Sequence, residues 1–280
     1  MGKRISLVLG SGGARGLAHI GIIRYLNEKG YEIESVSGSS IGALIGGFYA
    51  AGKLGEYEAW VRTLDALDII KLLDFEGEGG LLSGVKLMKR LEEIVGDVNI
   101  EDLPIAFSAV ASDIDNEKEI WIQEGNLLDA IRASIAIPMF FSPYEIGGRK
   151  LVDGGVLNPV PIAPTFGDDT EETIAVNLGA KMAHKDLLGK PTKQELGFMQ
   201  TIGSYLSKLS LRKGILQGSL FAVAQKSFDT MQSDLSRIKL AAYPPDTLIE
   251  IPRDLCGMLE FNRANEIIEY GYNKAKETFE

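Results

Sequence analysis

The sequence predicts an α/β fold, a single domain built on a mostly parallel sheet with helices on its faces. Two observations carry this. The chain opens in strand–loop–helix–strand–loop–helix order, and parallel neighbours need such helical crossovers. Its 280 residues, 45% hydrophobic and 24% charged, suffice for one full core. No internal repeat, low-complexity tract or linker divides them.

The elements follow in order. Ile5 to Leu9 is a short apolar run ending in glycines, a buried strand entering a tight loop. Leu17, Ile20, Ile23 and Leu26 recur at helical spacing, and Gly30 closes that helix. A second strand around Ile33 to Ser37 runs into Gly38-Ser39-Ser40-Ile41-Gly42, followed by a helix rich in small residues to about Ala51. Val85 to Val95 reads as an amphipathic helix. Ile105 to Ala111 and Glu119 to Gln123 read as antiparallel strands about the turn Asp115-Asn116-Glu117. Leu127 to Ala136 is helical and stops before Pro138. A hairpin with Gly147-Gly148 at its turn leads into Asp153-Gly154-Gly155. Thr173 to Leu178 and Thr247 to Ile251 are later strands. About Thr192 to Met231 is mostly helical, and Leu259 to Phe279 is a terminal helix.

Composition narrows the function classes. The net charge of −10 argues against nucleic acid as a partner. One cysteine, Cys256, rules out an intramolecular disulfide framework and a Cys-rich metal site. The N-terminal apolar run is only about five residues long, too short for a signal-peptide core or a membrane span, so a soluble cytoplasmic chain is expected. The charge is uneven: Lys181 to Lys226 holds eight basic residues and two acidic ones. Within it Met199, Ile202, Leu206 and Leu209 recur at helical spacing beside Lys208, Arg212 and Lys213. That pattern fits a core helix with a solvated basic face, or an interfacial helix making transient peripheral membrane contact through residues 181–226.

Three segments carry chemistry. Gly-x-Ser-x-Gly between a strand and a helix is a nucleophile elbow, with Ser40 in frame and Gly38 and Gly42 sparing the sharp turn from clashes. The helix N-terminus there favours developing negative charge. Gly10-Ser11-Gly12-Gly13-Ala14-Arg15-Gly16 fails as a dinucleotide fingerprint, since Arg15 stands where its last glycine belongs, and lacks the Gly-Lys-Ser/Thr of a P-loop. It remains either a tight strand–helix turn or a loop of amides aimed at an anion. Beside a serine nucleophile that anion is an oxyanion, held by the amides of Gly12 and Gly13, with Arg15 either adding charge or pairing with the sheet edge. The activating group stays open at this level. His19 reads as a packed or surface histidine. The order Ser40, Asp153, His184 formally suits a hydrolase triad, although Ser40 follows only the second strand. Asp153-Gly154-Gly155 offers a carboxylate where a strand ends.

Together and in this order, the segments resemble the patatin-like phospholipase family, especially its small bacterial members. Arg132-Ala133-Ser134-Ile135-Ala136-Ile137-Pro138 resembles the family's stretch ahead of the aspartate. The resemblance covers roughly residues 5 to 180 as a catalytic core, with 181–280 a mostly helical part on the same domain. It implies a three-layer α/β/α sandwich. It also implies a serine acyl hydrolase of lipid esters, phospholipid or lysophospholipid, working through an acyl-enzyme with no cofactor or metal. The dyad it implies is Ser40 as nucleophile and Asp153 as base, followed by Gly154 and Gly155, with an oxyanion hole at Gly12 and Gly13 and Arg15 at the family's basic position. One departure is Ser11, where the family's first glycine usually stands. The alternatives are a catalytically silent lipid-binding adaptor on the same fold, or an esterase using His184.

Overall fold

The computed structural model describes residues 2–72, 82–184, 187–188 and 218–280. The expected basic amphipathic stretch around Met199 to Lys213 lies outside the described residues.

The chain begins with β1 (Arg4–Leu9), α1 (Ala18–Glu28), β2 (Glu32–Ser39) and α2 (Ile41–Ala50). Two further helices follow, α3 (Leu54–Val61) and α4 (Ala66–Leu72), then α5 (Val85–Val95). Next come β3 (Ala106–Asp113), β4 (Lys118–Ile122), α6 (Leu127–Ser134), β5 (Tyr144–Ile146), β6 (Arg149–Asp153) and β7 (Glu172–Ala180). The last described elements are α7 (Gly218–Ala242), β8 (Thr247–Pro252) and α8 (Ala264–Phe279).

Eight described strands form one mixed sheet in the order β5-β6-β3-β2-β1-β7-β8, with β4 also paired to β3. The five strands β3, β2, β1, β7 and β8 run parallel, while β4, β5 and β6 attach antiparallel. The expected α/β sandwich is therefore present, with its antiparallel strands gathered at one side.

β1 shows why the sequence folds this way. Ile5, Leu7 and Leu9 join a core that includes α1, α2 and α8 residues. Val8 points to the opposite face, against Val160, Ile162 and Ala175, with Leu240 of α7 packed alongside. A strand covered on both faces needs an unbroken apolar run rather than alternation. The run Ile5 to Leu9 breaks only at Ser6, whose hydroxyl bonds Asp168 at 2.7 Å. The result is three layers: α1, α2 and α8 on one face, the sheet, and α7 with the 154–166 segment on the other.

Three expected helix boundaries shift, and the helix expected to end near Met231 runs on to Ala242. The terminal helix starts at Ala264 rather than Leu259, because Arg263 takes a non-helical backbone (φ −97°, ψ 25°). Its guanidinium turns inward to the Leu188 carbonyl at 3.1 Å. Helix α6 stops at Ser134 rather than Ala136, because the Ala136 carbonyl accepts the Asp153 amide at 3.0 Å. Among the described residues, no helix is long and apolar enough to cross a membrane.

α1 and α8 pack closely. A Cβ on Gly21 would sit 1.9 Å from the Ile268 carbonyl oxygen, and one on Gly271 would sit 2.1 Å from that of Ala18. Gly271→Ala should therefore cost about 1–3 kcal/mol, since backbone and not a yielding side chain stands in the way. Gly55→Ala, at a helical site with open space around it, should instead stabilise by roughly 0.4–1 kcal/mol. Urea denaturation midpoints of the two variants check the contrast.

Candidate active site

The site lies where β2 and β6 meet along β3. Strand β4 occupies one edge of β3 over Ala109–Asp113, so β2 and β6 share the other. β2 ends there with Ser39 opposite Val110, and β6 ends with Asp153 opposite Ala111. Adjacent register positions thus bring two chain ends head to head.

Ser40 caps the N-terminus of α2 with φ 56° and ψ −124°. For a residue other than glycine this left-handed region is strained, and strain of this kind gathers at functional positions. Its carbonyl starts the helix by accepting from Ala43 at 2.9 Å and Leu44 at 3.1 Å. The two glycines are required by different neighbours. A Cβ on Gly38 would come within 2.4 Å of the Gly42 oxygen across the turn, whereas one on Gly42 would sit 2.0 Å from the Leu9 oxygen of β1.

The Ser40 hydroxyl donates directly to Asp153 Oδ2. Asp153 Oδ1 accepts the Gly155 amide at 2.7 Å. Both side chains are buried, at 2% and 1% exposure. Burial pushes the Asp153 carboxyl up from 3.8 to about 7, against the lowering effect of the bonds from Ser40 and Gly155. Gly154 admits the approach of β6 to β3, since a Cβ there would lie 2.0 Å from the Val110 oxygen.

The glycine loop reaches the same place. Its flanking amides are committed: Gly10 to Val176 O at 3.0 Å, Ser11 to Pro159 O at 2.8 Å, and Ala14 to Met258 O at 2.9 Å. Among the described residues the amides of Gly12 and Gly13 have no acceptor. Gly13 takes φ +58° and lines the pocket together with Ser40. Arg15 is buried, with Nε donating to the Gly12 carbonyl at 2.9 Å and Nη1 to the Arg253 carbonyl at 2.6 Å. The guanidinium therefore ties the Gly12 carbonyl of the loop to the Arg253 carbonyl, with Asp229 paired to its Nη2 at 3.9 Å. Ser11 keeps a negative φ, so the absent glycine imposes no strain, and its Oγ meets Gln232 Nε2 of α7 at 3.4 Å.

The histidines lie apart from this pair. His19 is fully buried and neutral, its pKa lowered to about 4 by burial. Its Nε2–H donates to the Gly10 carbonyl at 2.9 Å. His184 is exposed, and its amide donates to Asp254 Oδ2 at 2.9 Å.

Above Ser40 opens an apolar pocket of about 900 Å³ including its mouth. Its walls include Leu44, Trp60, Val61, Leu87, Ile135 and Phe140, and no charged side chain is among its described lining residues. Helices α3 and α4 supply much of it. They went unassigned from sequence, although Leu54, Tyr57, Val61 and Leu64 recur at helical spacing.

The site sets a serine hydroxyl at a strand–helix turn against a buried aspartate, and the fold that carries it is that of a known family. The chain belongs to the patatin-like phospholipase family, whose model matches residues 7–166. It is 38% identical to an uncharacterised NTE family protein of Mycobacterium tuberculosis, over 99% of this chain and 91% of that protein. It is 28% identical to lysophospholipase nte1 of Emericella nidulans over 99% of this chain, but spans only 18% of that protein. VipD of Legionella pneumophila shares the fold, with a TM-score of 0.56 at 17% identity over 99% of this chain and 66% of that one. Membership of this family suggests a lipid acyl hydrolase.

The Asp153 pKa has a measurable consequence for stability. The folded-state value of about 7 lies above the unfolded 3.8, so the neutral buried carboxyl contributes fully below about 4. That contribution is lost as pH rises through about 7. Asp153→Asn removes the ionising group. It should gain stability relative to wild type between pH 4 and pH 8, by up to roughly 4 kcal/mol. Urea midpoints at the two pH values check this, and parallel pH dependences would contradict a buried carboxyl of raised pKa.

Proposed function

We propose that this chain is a serine acyl hydrolase that cleaves a carboxylic ester of a single-chain lipid through Ser40 and Asp153. The observation that carries the reading is that Ser40 lines an apolar pocket while its hydroxyl donates directly to the buried carboxylate of Asp153. Such a pocket suits an acyl chain and offers nothing to a charged headgroup, which stays outside it. The name of the lysophospholipase relative supports a single-chain phospholipid as the substrate class.

The steps balance as follows. Ser40 Oγ attacks the ester carbonyl carbon as its proton passes to Asp153 Oδ2, and the amides of Gly12 and Gly13 receive the oxyanion. Collapse breaks the ester C–O bond, and Asp153 returns the proton to the departing alcohol. Water then attacks the acyl-Ser40 carbonyl, again giving its proton to Asp153. The second collapse frees the fatty acid, with the proton going back to Ser40. Arg15 acts through the loop, keeping the Gly12 carbonyl turned away so that the Gly13 amide of the same peptide faces the site. A carboxylate of ordinary pKa is a weak base at neutral pH, and burial raises this one toward the working range.

Release of fatty acid from lysophosphatidylcholine tests the reading. Ser40→Ala and Asp153→Asn should each reduce turnover by at least about 10³-fold, while His184→Ala should stay within about two-fold. Fluorophosphonate labelling should follow the same order. Unlabelled wild type would favour a binding protein on this fold, and loss of activity in His184→Ala would favour the histidine triad. For wild type, kcat/KM should rise with pH through about 7 and level off above it, because the base works deprotonated. Val61→Trp, which fills the pocket wall, should shift preference toward shorter p-nitrophenyl esters, read from rates across the C4 to C16 series.

A further inference from the structure

Ser134 ends α6, inside the Arg132 to Pro138 stretch to which the sequence assigns no chemical role, and its side chain is completely buried. Its hydroxyl makes two good hydrogen bonds. It accepts the backbone N–H of Ser40 at 2.9 Å and donates to the Val110 carbonyl at 2.6 Å. The directions admit no alternative, because an amide only donates and a carbonyl only accepts. The Val110 carbonyl is the same atom against which Gly154 packs, with a Cβ there only 2.0 Å away. Two residues on, the Ala136 carbonyl accepts the Asp153 amide at 3.0 Å. The segment 134–136 thus grips both partners by their main chains: Ser40 through a side chain, and Asp153 through a backbone oxygen.

We infer that Ser134 is a positioning residue for acyl transfer, its hydroxyl holding the Ser40 peptide in the strained conformation that aims Oγ at Asp153. The inference rests on Ser40 being the nucleophile. Ser40 keeps φ 56° only while its surroundings over-determine it. The amide that Ser134 accepts is buried beside the turn. Without the hydroxyl it has no acceptor, and the elbow can relieve both costs by rotating the peptide and withdrawing Oγ. A displacement of this size at a reacting atom is felt in turnover far more than in binding. The pocket that binds the chain is built mainly by other elements and remains in place.

The experiment compares Ser134→Ala and Ser134→Cys with Ser37→Ala. Ser37 is a buried serine of β2 whose Oγ has no partner among the described residues, so it controls for removing a buried hydroxyl as such. Steady-state kinetics on a medium-chain p-nitrophenyl ester and the second-order rate of fluorophosphonate labelling are measured for each. Ser134→Ala should lose about 10- to 100-fold in kcat and a similar factor in labelling rate, with KM within about two-fold. Ser134→Cys, a weaker hydrogen-bonding group of similar shape, should fall between it and wild type. Ser37→Ala should match wild type. Ser134→Ala with undiminished kcat and labelling overturns the inference, whatever its melting temperature. If Ser134→Ala does not fold, Ser134→Cys with wild-type labelling overturns it equally. Wild type that fails to label overturns the nucleophile reading and this inference with it. Wild type that labels but hydrolyses no lipid ester removes only the substrate class, and the labelling rates still decide the role of Ser134.

Discussion

Strand β3 carries two different partners along one edge, and the site depends on that. Over its first half β2 runs parallel to it, and from Ala111 onward β6 runs antiparallel. Two strands arriving from opposite directions must stop where they meet, leaving Ser39 and Asp153 opposite consecutive residues of β3. This register brings Ser40 and Asp153 together although they are 113 residues apart in the chain, and the 134–136 segment holds both by their main chains. The glycines follow from this geometry. Gly38 and Gly42 let the turn after β2 close against itself and against β1, and Gly154 lets the chain after β6 press on the Val110 carbonyl. Larger residues would separate the strand ends and with them the two side chains.

Burial sets the chemistry of that meeting. Asp153 has a hydroxyl and an amide for partners, and neither hydrogen bond offsets the desolvation that raises its pKa to about 7. A cation at this point would make the carboxylate a weaker base. The nearest basic residue of the loop, Arg15, is instead committed to the Gly12 and Arg253 carbonyls. Charge is thus used to shape the backbone, while Asp153 stays buried with only neutral hydrogen-bond partners. The destabilisation this carries above neutral pH is of the kind that active sites sustain at the expense of stability.

Much of this was legible beforehand where the information is local. The run Ile5 to Leu9, the helical spacing from Leu17 to Leu26, and Gly38-Ser40-Gly42 each describe a structure formed by neighbours in sequence. The amphipathic pattern of Val85 to Val95 did so too, and the structure reproduces its bounds. The pattern of Leu54, Tyr57, Val61 and Leu64 was equally local but went unread, and with it the pocket wall. Ser134 gave no such signal, because a serine ending a helix looks the same whether its hydroxyl meets water or the amide of Ser40. The partner of Ser40 was harder to read for the same reason: Asp153 and His184 both satisfied the order of residues, the early position of Ser40 weighed against the histidine, and family resemblance then favoured Asp153.

The sequence by itself determined the strands, most of the helices, the sharp turn at Ser40 and the glycine loop, since each arises from sterics and periodicity over a few residues. Only the tertiary structure decided which groups face that serine: a carboxylate from β6, a hydroxyl from α6, and an apolar wall from α3 and α4. Those contacts join residues far apart in the chain, and their geometry is set by strand register and layer packing, which no local pattern encodes.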